Sequence, residues 1–187
     1  MLAHRTRRAA ALLASLAVLT GCDSNPSPAP LPSESPSPSS SSPSATVTPP
    51  TLPAEAKGTS EAAAKVFARH YVDTLNFATA TGITDEARRL SGKGCDSCQA
   101  MISKIEDVYS DGGYFRGDGW SVTDLKYQPF QPRKRPVLSV AIHLTPQKML
   151  ERAGGEVQIF KGGPNTLTLR LRFEDTDWTV ARLDRLS

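Results

Sequence analysis

Aromatic residues are scarce, at 6% of the 187 residues, and cysteine occurs three times. So thin an aromatic supply suits a modest core, and the length allows one or two domains. Long apolar runs are lacking too. The stretch AAALLASLAVL, from Ala9 to Leu19, has eleven residues, well short of the ~20 that a spanning helix needs. There is no Gly-rich phosphate loop, no GxSxG, no HExxH and no internal repeat. Their absence removes the common nucleotide-binding, serine-hydrolase and zinc-peptidase readings without excluding catalysis. Net charge is also small. The excess of +3 comes from Arg5, Arg7 and Arg8; without residues 1–21 the count is 19 basic against 19 acidic. Bulk charge therefore gives no case for nucleic-acid binding.

What is present begins at the N-terminus. A basic segment, Met1 to Arg8, precedes the apolar run, which ends in Leu19-Thr20-Gly21-Cys22. That order reads as a signal peptide over residues 1–21. The small residues before Cys22 suit a peptidase that needs an extended, uncrowded cleavage site, and the sequence resembles the lipobox of bacterial lipoproteins. The resemblance implies a diacylglycerol on the Cys22 sulfur, cleavage just before it, and a mature chain held on the outer face of the plasma membrane. Two acyl chains make such an anchor stable where one is marginal. An ordinary secretory signal with a chance cysteine is the alternative. Arg7-Arg8 half-resembles a twin-arginine export signal, but Ala10 stands where a bulky residue is expected, which favours general secretion.

Ten of the fifteen prolines fall between Pro26 and Pro53, within Pro-Ser repeats such as SPSPSSSSPS. Such a stretch cannot bury enough apolar surface to offset its ordering entropy. Residues 22–57 therefore read as a disordered tether, biased toward polyproline II at about 3.1 Å per residue. The serines and threonines beside proline are candidate O-glycosylation acceptors, although a plain spacer explains them.

One folded domain is expected over residues 58–187. Thr59 or Ser60 caps a helix from Glu61 to about Ala80, with Ala63, Val66, Phe67, Tyr71, Thr74, Leu75 and Ala78 on one stripe. Thr84 is read as the cap of a short second helix. A third runs from about Asp96 to Ser110 and stops at Gly112-Gly113. The period then changes to two. Strands are expected over Trp120–Tyr127, Val137–Leu144, Glu156–Phe160, Leu167–Phe173 and Trp178–Leu183. Helices first and strands afterwards mean α+β, with N-terminal helices packed on one curved, mostly antiparallel sheet.

That order, ending in Asp-Trp-Thr-Val-Ala-Arg-Leu from Asp177 to Leu183, resembles the NTF2-like cone fold. FARHYVDTLNFATATG followed by CDSCQAMISKIEDVYSDGG resembles an uncharacterised family of actinobacterial lipoproteins, over most of residues 53–187. The resemblance implies location and architecture and carries no activity with it. The leading expectation is a non-enzymatic envelope module, without cofactor, that binds a small ligand, wall polymer or protein partner. The competing expectation is a cone-fold isomerase, dehydratase or hydrolase.

For that second reading the candidates are His70, Tyr71 and Asp73, the only cluster on the first helix suited to acid–base work. A boundary histidine beside a solvated Asp73 is the better explanation, since no titratable group is pinned opposite by spacing. His143 faces either a cavity or solvent. Cys95 and Cys98 form a CxxC at a helix start. With Cys22 lipidated they are an even pair in an oxidising compartment, which suits a structural disulfide. A redox pair, free thiols and a metal site remain alternatives, although zinc would need two further ligands. Asp111-Gly112-Gly113 and Gly117-Asp118-Gly119 read as turns and do not match an EF-hand loop. Arg133, Lys134 and Arg135, between two prolines, form an exposed basic tip that suits anionic polymer or lipid headgroups, or simply water.

Overall fold

The computed structural model describes residues 47–186; Cys22, the signal peptide and most of the tether lie outside them. A single 3-10 turn, Ala54–Ala56, leads into α1 (Glu61–Thr81), α2 (Asp85–Leu90) and α3 (Asp96–Ser110). Seven strands follow: β1 (Gly112–Arg116), β2 (Trp120–Tyr127), β3 (Val137–Leu144), β4 (Gln147–Arg152), β5 (Val157–Phe160), β6 (Gly163–Glu174) and β7 (Asp177–Leu186). The class is α+β, as expected. The strands divide differently. They form two antiparallel sheets, ordered β2-β3-β6-β7 and β1-β4-β5, and neither closes.

The helix boundaries follow from local chemistry. Ser60 caps α1, its Oγ accepting from the Ala63 N–H at 3.0 Å. Gly82 ends it in the left-handed region at φ 77°, where glycine lacks the Cβ that other residues must strain to accommodate. Thr84 stands at the N-cap of α2, its carbonyl accepting from the Arg88 N–H at 2.9 Å, but its side chain makes no capping bond. Its backbone is already helical, and its hydroxyl donates to Glu106 on α3.

The single expected sheet becomes two for a steric reason. β3 is paired on both sides, by β2 and β6, so the chain after Leu144 has no free edge to join there. Pro146 stands at this exit, and β4 pairs instead with β1 (Tyr114 opposite Leu150). Gly112-Gly113 therefore belongs to a strand as well as a helix stop. A Cβ on Gly113 would lie 2.1 Å from the Leu150 carbonyl oxygen, so the absent side chain is what lets β4 approach.

The core lies between the helices and the four-stranded sheet. Phe67, Tyr71 and Leu75 of α1 and Ile102 and Ile105 of α3 meet Leu138, Val140 and Ile142 of β3 and Leu167, Leu169 and Leu171 of β6. On β6 the leucines are buried while Arg170 and Arg172 are exposed, which is the alternation the sequence shows. Each such side chain contributes roughly 1.5–3 kcal/mol by leaving water. α1 touches β1, β2 and β3, and α3 touches β1, β4 and β7, so these two helices join the sheets.

Candidate functional site

β7 is the edge strand of the larger sheet, and the α2–α3 connection covers part of that edge. Ser91 forms a parallel bridge with Val180, and the Gly92 N–H donates to the Val180 carbonyl at 2.9 Å. A cleft of about 940 Å³ opens there, lined by Arg88, Arg89, Lys93, Arg172, Glu174 and Thr179 among others. Four cations thus face one carboxylate. Arg88 and Arg89 are set in place by side chains around the cleft. Arg89 donates from Nε and Nη2 to the Glu86 carboxylate at 2.7 and 2.6 Å. Arg88 donates from Nη2 to Glu106 at 2.6 and 2.7 Å, and from Nη1 to Gln99 at 2.9 Å. The Arg89 hydrogen bond holds the Glu86 carboxyl below its usual range, and hydrogen bonds from Thr84 and then Arg88 do the same for Glu106. Each guanidinium has five N–H donors, so both keep free ones. Arg172 pairs with Glu174 at 3.5 Å, while Lys93 has no ion pair among the described residues. The arrangement suits an anion held by charge-assisted hydrogen bonds.

The sequence reading missed this cleft. Arg88, Arg89 and Lys93 lie close in sequence, but Arg172 joins them only through the fold. The outward alternation of Arg170 and Arg172 was the one available signal.

His70, Tyr71 and Asp73 do not converge. Tyr71 is turned inward, where its hydroxyl lies 2.9 Å from Ser91 Oγ. Ser91 Oγ donates to the Ala87 carbonyl at 2.7 Å, so Tyr71 is the donor to Ser91 and anchors α1 to the end of α2. Burial drives its pKa up to about 12, against the pull of the Ser91 bond. His70 and Asp73 instead line a groove of about 520 Å³ with Lys65, Arg69, Thr123, Asp124 and Pro50. His70 does not sit at the edge of the stripe. It is 3% exposed, and its Nε2 is buried without a hydrogen-bond partner. Burial pushes its pKa below 6.5, opposed by Glu86 and Asp73 and assisted by Arg89. Burial likewise raises the Asp73 pKa, against the pull of His70 and then Arg69. A general base must reach its substrate's proton, and this Nε2 is closed off. His143 is exposed on β3.

Cys95 and Cys98 are joined in a disulfide and are 1% and 0% exposed. Cys95 is the N-cap of α3, its sulfur accepting from the Cys98 N–H at 3.3 Å. Ser97 Oγ accepts from the Leu183 N–H at 3.3 Å, which ties this helix start to β7. An external thiol cannot reach sulfurs so buried while the helix start stays closed. Arg133, Lys134 and Arg135 are all exposed on the β2–β3 loop. Among the described residues no group of three or more His, Cys, Asp or Glu side chains is placed to hold a metal ion.

Residues 37–184 match the model of a family described as a family of unknown function (DUF6318). No curated protein matches the sequence. Among solved structures, the intermembrane space region of the chloroplast protein ARC6 superposes with a TM-score of 0.49 at 6% identity, over 66% of this chain and 94% of that one.

Proposed function

The chain belongs to this family of unknown function, and on that premise we propose that it is a lipid-anchored extracytoplasmic module that binds a small anionic ligand without turning it over. The observation that carries the binding is the cleft beside β7, where Lys93 has no ion pair among the described residues and Arg88 and Arg89, each held by one carboxylate, keep N–H donors free. Guanidinium groups already set in place by Glu86 and Glu106 lose little freedom on binding an anion. Anchoring rests on the resemblance of Leu19-Thr20-Gly21-Cys22 to a lipobox. The affinity to actinobacterial lipoproteins and to an NTF2-like cone rests on the long first helix laid against an antiparallel sheet and on the quoted motifs.

Thermal unfolding of the full chain with inorganic phosphate or citrate, against sodium chloride at matched ionic strength, tests the cleft. At a hundred times its dissociation constant a bound anion adds about 2.7 kcal/mol. The gain should vanish in the Arg89→Gln/Lys93→Gln variant. A gain unchanged in that variant, or none with either anion, refutes the site. Cys22→Ala tests the anchor: the chain should be released or remain as an uncleaved precursor, and unchanged fractionation at the same mature mass would remove it.

A second reading, an enzyme using His70 with Asp73, has one observation in its favour, the unpartnered His70 Nε2 beside a groove. Ligand stabilisation lost with His70→Ala, and kept in the cleft variant, would move the site there. A redox role for Cys95 and Cys98 has least support, given their burial.

A further inference from the structure

The β2–β3 loop carries the least expected side chain in the fold. Phe130 is 102% exposed, and its backbone sits in the left-handed region at φ 61°. That region is disfavoured for a bulky residue. The loop that carries it is pinned on both flanks. The Gln128 N–H donates to the Val137 carbonyl at 2.9 Å, and the Arg135 N–H to the Pro132 carbonyl at 2.8 Å. β6 holds the far side, with Leu171 N–H donating to Pro136 at 2.9 Å and Phe173 N–H to Lys134 at 2.8 Å. Arg133, Lys134 and Arg135 stand beside Phe130, exposed and without an ion pair among the described residues.

The tip also lies at the end of the domain that holds Gly58, just before α1. Trp178 Nε1 donates to the Gly58 carbonyl at 2.9 Å, the Trp178 ring packs edge-on to Phe173 at 4.9 Å, and Phe173 is bonded to Lys134. One continuous chain of contacts therefore joins Gly58 to the tip, while residues 47–57 before it stay packed on the domain, with Ala56 buried and Pro50 in the groove beside Thr123 and Leu125. Asp175 on the adjoining turn and Asp177 at the start of β7 partly offset the charge at this end, and salt weakens the attraction of the three cations to an anionic surface.

We infer that Phe130, with Arg133, Lys134 and Arg135, forms a headgroup-inserting tip that docks the domain onto an anionic lipid bilayer. This rests on the lipid-anchor reading. Three cations and one aromatic are a weak binder alone, and tethering within tens of ångströms supplies the effective concentration that makes the contact populated. A fully exposed aromatic favours a lipid surface over an anionic polymer. A polyphosphodiester polymer rewards the cations, whereas a bilayer interface also takes an apolar ring.

The full chain is tested in two forms, lipidated in vesicles and as the unlipidated Cys22→Ser chain added to vesicles. Both carry Phe130→Trp, read by quenching from acyl-chain-brominated phosphatidylcholine, with Trp120 and Trp178 subtracted using the unsubstituted chain. Quenching is expected with phosphatidylglycerol present and not with phosphatidylcholine alone, and salt should reduce it. In flotation, Arg133→Gln/Lys134→Gln/Arg135→Gln should lower partition of the unlipidated chain of order a hundredfold, and Phe130→Ser roughly tenfold. No phosphatidylglycerol-dependent quenching in either form overturns the tip. Binding to soluble polyglycerol phosphate that needs the cations but not Phe130 overturns the lipid assignment. Failure of the anchor alone looks different: the Cys22 chain no longer floats with neutral vesicles, while the unlipidated arm is unchanged.

Discussion

Replacing His70 with leucine should stabilise the protein and flatten its response to mild acid. The imidazole is 3% exposed with Nε2 unpartnered, and an unmade buried hydrogen bond costs about 1–3 kcal/mol. Leucine fills a similar volume without a polar atom. Some packing mismatch offsets the gain, leaving roughly 1 kcal/mol, or about 3–5 °C in Tm for a domain of this size. The pH dependence gives a second, independent readout. The folded pKa of His70 is depressed below 6.5, so the unfolded chain binds the proton more readily. The associated stability is complete above pH 6.5 and is lost as pH falls toward the folded pKa, by up to about 1.4 kcal/mol per unit. The depressed carboxyls of Glu86 and Glu106 act only below their ordinary value of 4.5, and the raised Asp73 carboxyl acts with the opposite sign, adding stability as pH falls, so the loss of stability in mild acid is assigned to His70. Thermal unfolding followed by circular dichroism from pH 5 to 8, on both chains, measures the two effects. A leucine variant that keeps the slope between pH 5 and 6.5, or that loses ~2 kcal/mol at pH 7.5, would refute the reasoning. It would mean that the imidazole has a partner in solution and supports the groove it lines.

Tyr71→Phe should cost about 1 kcal/mol, because Ser91 keeps its bond to Ala87 and loses only the Tyr71 donor. With the Tyr71 pKa raised to about 12, the wild-type stability tied to it is present below pH 10 and lost from there toward 12. The phenylalanine variant should lose less on alkaline titration. Gly113→Ala places a Cβ 2.1 Å from the Leu150 carbonyl, so β1 and β4 must separate, at a cost of about 3 kcal/mol or more in denaturant unfolding; a loss under 1 kcal/mol would show that the sheet slides freely. Cys95 and Cys98 should resist alkylation under native conditions after mild reductant and label only in denaturant, as read by intact mass. Rapid native labelling would reopen the redox reading.

The helices were legible because their signals are local. The 3.6-residue stripe of α1, the Ser60 cap and the Gly82 stop lie within one segment, and the Leu167–Leu171 alternation of β6 needs only its neighbours. The division into two sheets was not legible. β4 has no strong period, and β1 looks like turn chemistry until Leu150 is set against Gly113. Pairing between strands distant in sequence is a property of the closed fold. The same limit governed the sites. The CxxC announces an even cysteine pair at a helix start, but burial of both sulfurs is a tertiary fact. His70, Tyr71 and Asp73 sit together in the sequence, yet successive residues are turned about 100° apart on a helix, which sends Tyr71 to Ser91 and Asp73 to the groove. Arg172 meets Arg88, Arg89 and Lys93 because the α2–α3 connection lies along the β7 edge, a meeting no spacing encodes. The basic tip was readable as three adjacent cations between prolines. That Phe130 stands out on the same loop, at positive φ, was decided by the fold alone, since exposure and loop conformation exist only once the strands are in register.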